Sequence, residues 1–229
     1  MTLRSIRRMN IPTVTTMSER ALLRLLTWAT PAMPTSGFSY SSGLEAATDD
    51  GLVRDERTLR EWIATALARG APWNDAVLVA EAMRGGNVDD LRALARALAG
   101  SAERLIETEA QGDAFLAAAR AWIASDGPAR PCALPVALGW AAAAEGIAPR
   151  AMLLAALHGW AANQVQAALR LMPLGQRAAA RVMAALEPVI EAVATRAERS
   201  TLDDLGTFAI GAEIAAMRHE TMRGRMFRT

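Results

Sequence analysis

The sequence predicts an all-α protein, a single-domain helical bundle of about eight to ten helices with a mobile N-terminal leader and a basic C-terminal tail. Three observations point there. Hydrophobic residues make up 52% of the chain but aromatics only 5%, so the core must be built from small and aliphatic side chains, and alanine and leucine are strong helix formers. Apolar residues recur at three- and four-residue spacing, and no β-branched run alternates with polar residues as a half-buried strand requires. Gly, Pro, Ser and Asp punctuate the chain at intervals that suit short helix-to-helix loops. At 229 residues one core suffices, and no repeat or linker divides it.

Residues 1–17 carry no sustained period and are expected to form the leader; residues 18–229 form the domain, including a tail from about 212. Ser18 is placed to cap a helix bearing Leu22, Leu23, Leu25, Leu26 and Trp28, which Pro31 and Pro34 stop. Ser39 to about Asp50 is expected to be helical, with Gly51 past its end. Asp55 caps a helix through Arg69 with Leu59, Trp62, Ile63, Ala66 and Leu67 on one face, ended by Gly70. Pro72 opens the next, carried by Val77, Leu78 and Met83 to Gly85-Gly86. Asn87–Ala99 and Ser101–Ser125 give two more, divided at Gly100 and closed by Asp126-Gly127-Pro128. Pro135–Glu145 and Pro149–Leu171 follow. Pro173 and Gly175 break the chain before a helix from about Arg177 to Arg199, expected to kink at Pro188. The last helix begins near Gly211, where Ile210, Ile214 and Met217 form a short apolar stripe.

Composition excludes several functions. All 25 basic residues are arginine, and 24 acids leave a net charge of +1, too little for a general pull on nucleic acid or anionic membrane. The one cysteine, Cys132, rules out an internal disulfide framework and fits a reducing, cytoplasmic compartment; between Pro131 and Ala133 it is expected to act as a small apolar residue. No apolar run reaches the roughly 18–20 residues of a membrane span. Phosphate-binding loops, dinucleotide fingerprints and nucleophile elbows are absent. His158 and His219 are the only histidines, too few with one cysteine for a transition-metal cage, so no metal and no cofactor is assigned. His158 is expected to be a satisfied histidine within the packing.

Three segments remain. The tail, Met217-Arg218-His219-Glu220-Thr221-Met222-Arg223-Gly224-Arg225-Met226-Phe227-Arg228-Thr229, clusters arginines around one His, one Glu and one Phe. A solvated end, a nucleic-acid arm and a protein-docking element are its three readings. Phosphate contact leaves Met217, Met226 and Phe227 without a role, whereas Arg, Met and aromatics together are the composition of protein interfaces. Near the N-terminus stands Pro34-Thr35-Ser36-Gly37-Phe38-Ser39-Tyr40-Ser41-Ser42-Gly43-Leu44-Glu45. It is expected to be a glycine-bounded turn into a helix with Phe38 and Tyr40 buried; Tyr40 also suits an interface, and Glu45 is expected to pair with an arginine. Between the long helices lies Arg170-Leu171-Met172-Pro173-Leu174-Gly175-Gln176, where Arg170 and Gln176 serve either as local caps or as partner contacts.

Taken in order, from about Ala21 to Thr229, these segments resemble the UreF family of urease accessory proteins. The match covers Gly37, Phe38, Ser39, Tyr40, Ser41, Gly43, Leu44 and Glu45, then the Arg170–Gln176 segment, then Met217, Arg218, His219, Glu220, Arg225, Phe227 and Arg228. Ser42 stands where the family often has histidine, Ala216 replaces a serine, and Met222, Arg223 and Gly224 replace Gln-Tyr-Ser. The resemblance implies an all-helical, non-catalytic accessory protein for assembling the nickel centre of urease, a homodimer that binds UreD (also called UreH) and recruits the GTPase UreG to apo-urease. Nickel and GTP chemistry then belong to UreG. The expected partner-binding residues are Arg218, His219, Glu220, Arg225, Phe227, Arg228, Tyr40, Glu45, Arg170 and Gln176. The rival is a helical DNA-binding regulator using the basic tail, against which the near-zero net charge and the missing helix-turn-helix both weigh.

Overall fold

The computed structural model describes residues 17–30, 33–34 and 40–228. Among them the secondary structure is entirely helical, as predicted, in ten α-helices and one 3-10 turn. The expected leader lies outside the described residues except for Met17, which is half-buried against the core.

Local chemistry sets most boundaries. Helix α1 (Glu19–Trp28) starts at Ser18, whose Oγ accepts from Ala21 N at 3.2 Å. Helix α2 (Leu44–Asp49) is shorter than predicted because Ser42 and Gly43 adopt left-handed backbone (φ 51° and 81°), which no helix continues through. Asp55 and Thr58 form a reciprocal capping box at the start of α3 (Glu56–Arg69). Helices α4 (Ala71–Met83), α5 (Val88–Ala97) and α6 (Ala102–Ala119) follow, the last two capped by Asn87 and Ser101. Helix α6 ends before the predicted Ser125, since Trp122 turns to pack edge-on against Trp28 (centroids 6.4 Å) and Ile123 is buried. Helices α7 (Leu134–Ala144) and α8 (Pro149–Leu171) begin with a proline in the first turn, where its missing N–H costs nothing. Helix α9 (Gln176–Arg199) runs through Pro188 as one element. After a 3-10 turn at Leu202–Asp204 comes α10 (Ile210–His219).

Helices α4 and α7 are buried on nearly all sides, so they form the centre around which α3, α6, α8 and α9 pack. Trp28 meets Phe115 edge-to-face at 5.3 Å within this core. Cys132 is fully buried there, and burial pushes its thiol up to about 12, the behaviour of an inert apolar side chain. His158 is a correction: it lies exposed on α8 rather than within the packing.

The connection into α10 is held tightly. Trp73 Nε1 donates to the Asp204 carbonyl at 3.0 Å under the Arg196 guanidinium, 3.3 Å from the ring centroid. Gly206 N donates to Asn74 Oδ1 at 2.9 Å, and Phe208 N to the Arg69 carbonyl at 2.7 Å. These bonds aim α10 across the N-terminus of α2. Contact there is so close that a Cβ on Gly43 would sit 2.6 Å from Ala216 N.

Candidate functional site

The C-terminal tail does not leave the body of the protein. Gly224, at φ 72°, turns the chain back after α10, and the tail closes over a cluster of charged groups from α2 and α6. His219, in the last turn of α10, is wholly buried (0% exposed). Its Nε2 lies 2.9 Å from Glu45 Oε2 and its Nδ1 2.8 Å from Glu103 Oε2. Glu45 also accepts from Met226 N at 2.7 Å (Oε1) and Phe227 N at 2.9 Å (Oε2). Arg225 pairs with Glu103, and its guanidinium lies 3.5 Å from the His219 carbonyl.

The electrostatics follow from that donor set. Burial by itself raises the Glu45 carboxyl, but the hydrogen bonds from His219, Met226 and Phe227 outweigh it and hold the group below the usual carboxylate range. Ionised carboxylate oxygens only accept hydrogen bonds. Both ring nitrogens of His219 face such oxygens, so the arrangement is complete when both carry protons. Two carboxylates are then matched by one imidazolium and one guanidinium.

Further contacts fasten the tail. Glu220 Oε1 accepts from Ala102 N at 2.8 Å and Glu103 N at 3.4 Å, placing negative charge at the N-terminus of α6. Arg218 pairs with Asp50 at the end of α2. Phe227 is buried, with the Arg170 guanidinium 4.4 Å above its ring.

Of the ten residues that the sequence singles out, the structure thus joins Glu45, Arg170, His219, Glu220, Arg225 and Phe227 in one assembly, with Arg218 at its edge. Glu45, His219 and Phe227 are turned into the chain's own body, while Arg170, Gln176, Arg218, Glu220, Arg225 and Arg228 are exposed and Tyr40 is half-buried. Gln176 stands apart at the start of α9. The expected arginine partner of Glu45 is corrected: a histidine 174 positions away and two backbone amides take that place. The other expected members of the N-terminal motif, Gly37, Phe38 and Ser39, lie outside the described residues. Sequence reasoning missed Glu103 and Asp50. Glu103 carried one faint signal, its place in the first turn after a serine cap.

Above the buried anchors, α10 presents Ile210, Ile214 and Met217 to solvent, with Phe208 just before them. Spacing of four and three puts the helical three on one face, and exposed arginines at Arg218, Arg223 and Arg228 follow. A second ionic cluster lies between α4 and α6. There Arg104 pairs with Asp75 and stands 3.5 Å from Glu107, whose Oε1 accepts from Gln111 at 3.2 Å. No group of three or more His, Cys, Asp or Glu side chains suited to a metal ion occurs among the described residues. Nor is any described helix long and apolar enough to cross a membrane.

Fold and site together define a helical protein with exposed apolar residues and arginines on α10 and on a tail bonded to its own body. The family model for UreF matches residues 53–187. The chain is 50% identical over 209 residues to the urease accessory protein UreF of Cereibacter sphaeroides strain KD131, covering 91% of this chain and 99% of that protein. It is 49% identical over 216 residues to the protein of the same name from Rhizobium etli (92% and 97%). Against urease accessory protein UreF 1 of Brucella anthropi it is 45% identical over 225 residues (96% and 99%). The chain belongs to the UreF family.

Proposed function

We propose that this chain serves urease maturation as a non-catalytic scaffold, docking UreD through α10 and its tail so that the joint surface recruits UreG to apo-urease. One observation carries the reading: Phe208, Ile210, Ile214 and Met217 are exposed together, beside exposed arginines, on an element whose own anchors are already buried. Apolar groups clustered on a surface mark interaction sites, and Met, Phe and Arg are enriched at protein interfaces. Arg218, Arg225 and Arg228 offer forks to carboxylates at the rim. Glu45, His219 and Phe227 act from beneath, fixing the surface the partner meets. Family membership does not favour the DNA-binding rival.

The test is capture of UreD by full-length protein carrying Ile210→Glu, Ile214→Glu and Met217→Glu, with circular dichroism to confirm the fold. Binding should fall at least tenfold, since each buried charge is uncompensated at an apolar contact. Undiminished capture rejects the α10 surface. The scaffold in this reading is a homodimer, and a monomer mass by light scattering at high concentration, alone and with UreD, rejects that part.

A further inference from the structure

The cluster beneath the tail has a property that scaffolding does not require. His219 is enclosed completely, and what faces it is a carboxylate on each side: Glu45 from α2 and Glu103 from α6. From the tail itself comes Arg225, paired with Glu103. The remaining charges packed around the assembly are already engaged elsewhere: Asp50 with Arg218, Glu220 with the α6 N-terminus, and Arg170 with the Phe227 ring. Removing one proton from His219 therefore leaves two carboxylates opposite a single guanidinium. It also leaves one ring nitrogen as an acceptor facing an oxygen that only accepts. In an enclosed site such a mismatch is not relieved by water.

We infer that His219 is a proton-operated latch: the doubly protonated ring holds the tail closed on Glu45 and Glu103, and its deprotonation releases Met226 and Phe227 and loosens α10. The geometry sets the direction. Closure is favoured as pH falls and opening as pH rises. Release frees the two tail amides bonded to Glu45 and uncovers Phe227. The surface regulated is the one assigned to UreD above, so the physiological meaning rests on that reading. The latch itself is a property of the free chain.

Amide hydrogen exchange at Met226 and Phe227 in the full-length protein, without any partner, tests it across a series of buffers from mildly acidic to alkaline. After correction for intrinsic exchange, protection at both amides should fall at least tenfold toward the alkaline end. Amides in α4 and α7 should keep theirs. Glu103→Gln supplies the decisive comparison. An amide in that place lets a neutral imidazole bond on both sides, so the fall should flatten. His219→Gln should show low protection at every pH. Protection that stays constant across the range in the unaltered chain overturns the inference, as does a Glu103→Gln profile that falls in step with it. If His219→Gln fails to fold, the first two profiles still decide. Because no partner is present, failure here leaves the UreD assignment standing, and failure of UreD capture leaves the latch standing.

Discussion

The cluster under the tail and the cluster between α4 and α6 hold similar side chains in different surroundings. In the first, Glu45 is buried but takes hydrogen bonds from a ring nitrogen and two backbone amides, and its carboxyl sits below the usual range. In the second, Asp75 and Glu107 flank Arg104, yet burial dominates and pushes both carboxyls above the usual range. Proximity of a cation is common to the two. The difference is the balance of burial against hydrogen bonds: three N–H groups outweigh burial at Glu45, whereas at Asp75 and Glu107 burial outweighs the Arg104 contacts, and the Asp75 charge adds to the rise at Glu107.

The sharpest way to break this comparison is Glu45→Ala. It strands His219 and two backbone amides without acceptors, and breaking a buried pair on one side costs about 3–5 kcal/mol. Chemical denaturation at neutral pH measures it. A loss below 1 kcal/mol, read against the handful that a buried pair demands, removes the claim that the tail is structurally bonded.

Next comes Gly43→Ala, which drives a Cβ against Ala216 N at 2.6 Å from a backbone held at φ 81°. Overpacking of this kind costs about 1–3 kcal/mol. It should appear as a lowered Tm together with faster trypsin cleavage after the tail arginines; unchanged cleavage separates α2 from the seating of α10.

The two clusters should also respond to pH with opposite sign. A carboxyl held low contributes stability that is present above its ordinary value, near 4, and lost as pH falls through the lowered one. A carboxyl held high contributes stability that is present below that ordinary value and lost as pH rises through the raised one. Unfolding free energies of Glu45→Gln and Glu107→Gln, each compared with the unaltered chain from acid to neutral, should therefore diverge. The first variant loses ground as pH rises, and the second gains. At neutral pH Glu107→Gln should be within about 1 kcal/mol of the parent or more stable. Parallel curves for the two variants would sink the distinction.

Arg218→Ala is the smallest effect. Its pairing with Asp50 is at the surface, with the arginine side chain 60% exposed, so stability should move by no more than about 1 kcal/mol. Capture of UreD should weaken more than stability does. Equal, negligible effects on both confine the docking surface to the apolar stripe.

Much of the fold was legible because its boundaries are local chemistry. The helix predicted at Pro149–Leu171 has those bounds, and Asp55, Asn87 and Ser101 cap where short polar side chains before an apolar period should. The errors fall where distant packing overrules propensity. Trp122 leaves the helical path to meet Trp28, and Ser42 and Gly43 leave it to admit α10. The site divides in the same way. Composition indicated a tail rich enough in anchors to bury something, but not that its own α2 and α6 would receive them. Glu45 and His219 are separated by 174 positions, and no period or spacing links them. Nor does any local signal tell that Ile210, Ile214 and Met217 face outward, because an apolar stripe at helical spacing reads alike whether it meets a core or a partner.

Since ribosomes build a chain from its amino end, Glu45 is made at least 174 residues before the groups that stabilise its charge. Until those residues emerge, α2 therefore carries an acid whose native counterparts do not yet exist. A chain stopped short of Phe227 keeps that defect permanently. The charge state of α2 is thus settled by a segment far along the chain that folds back onto it.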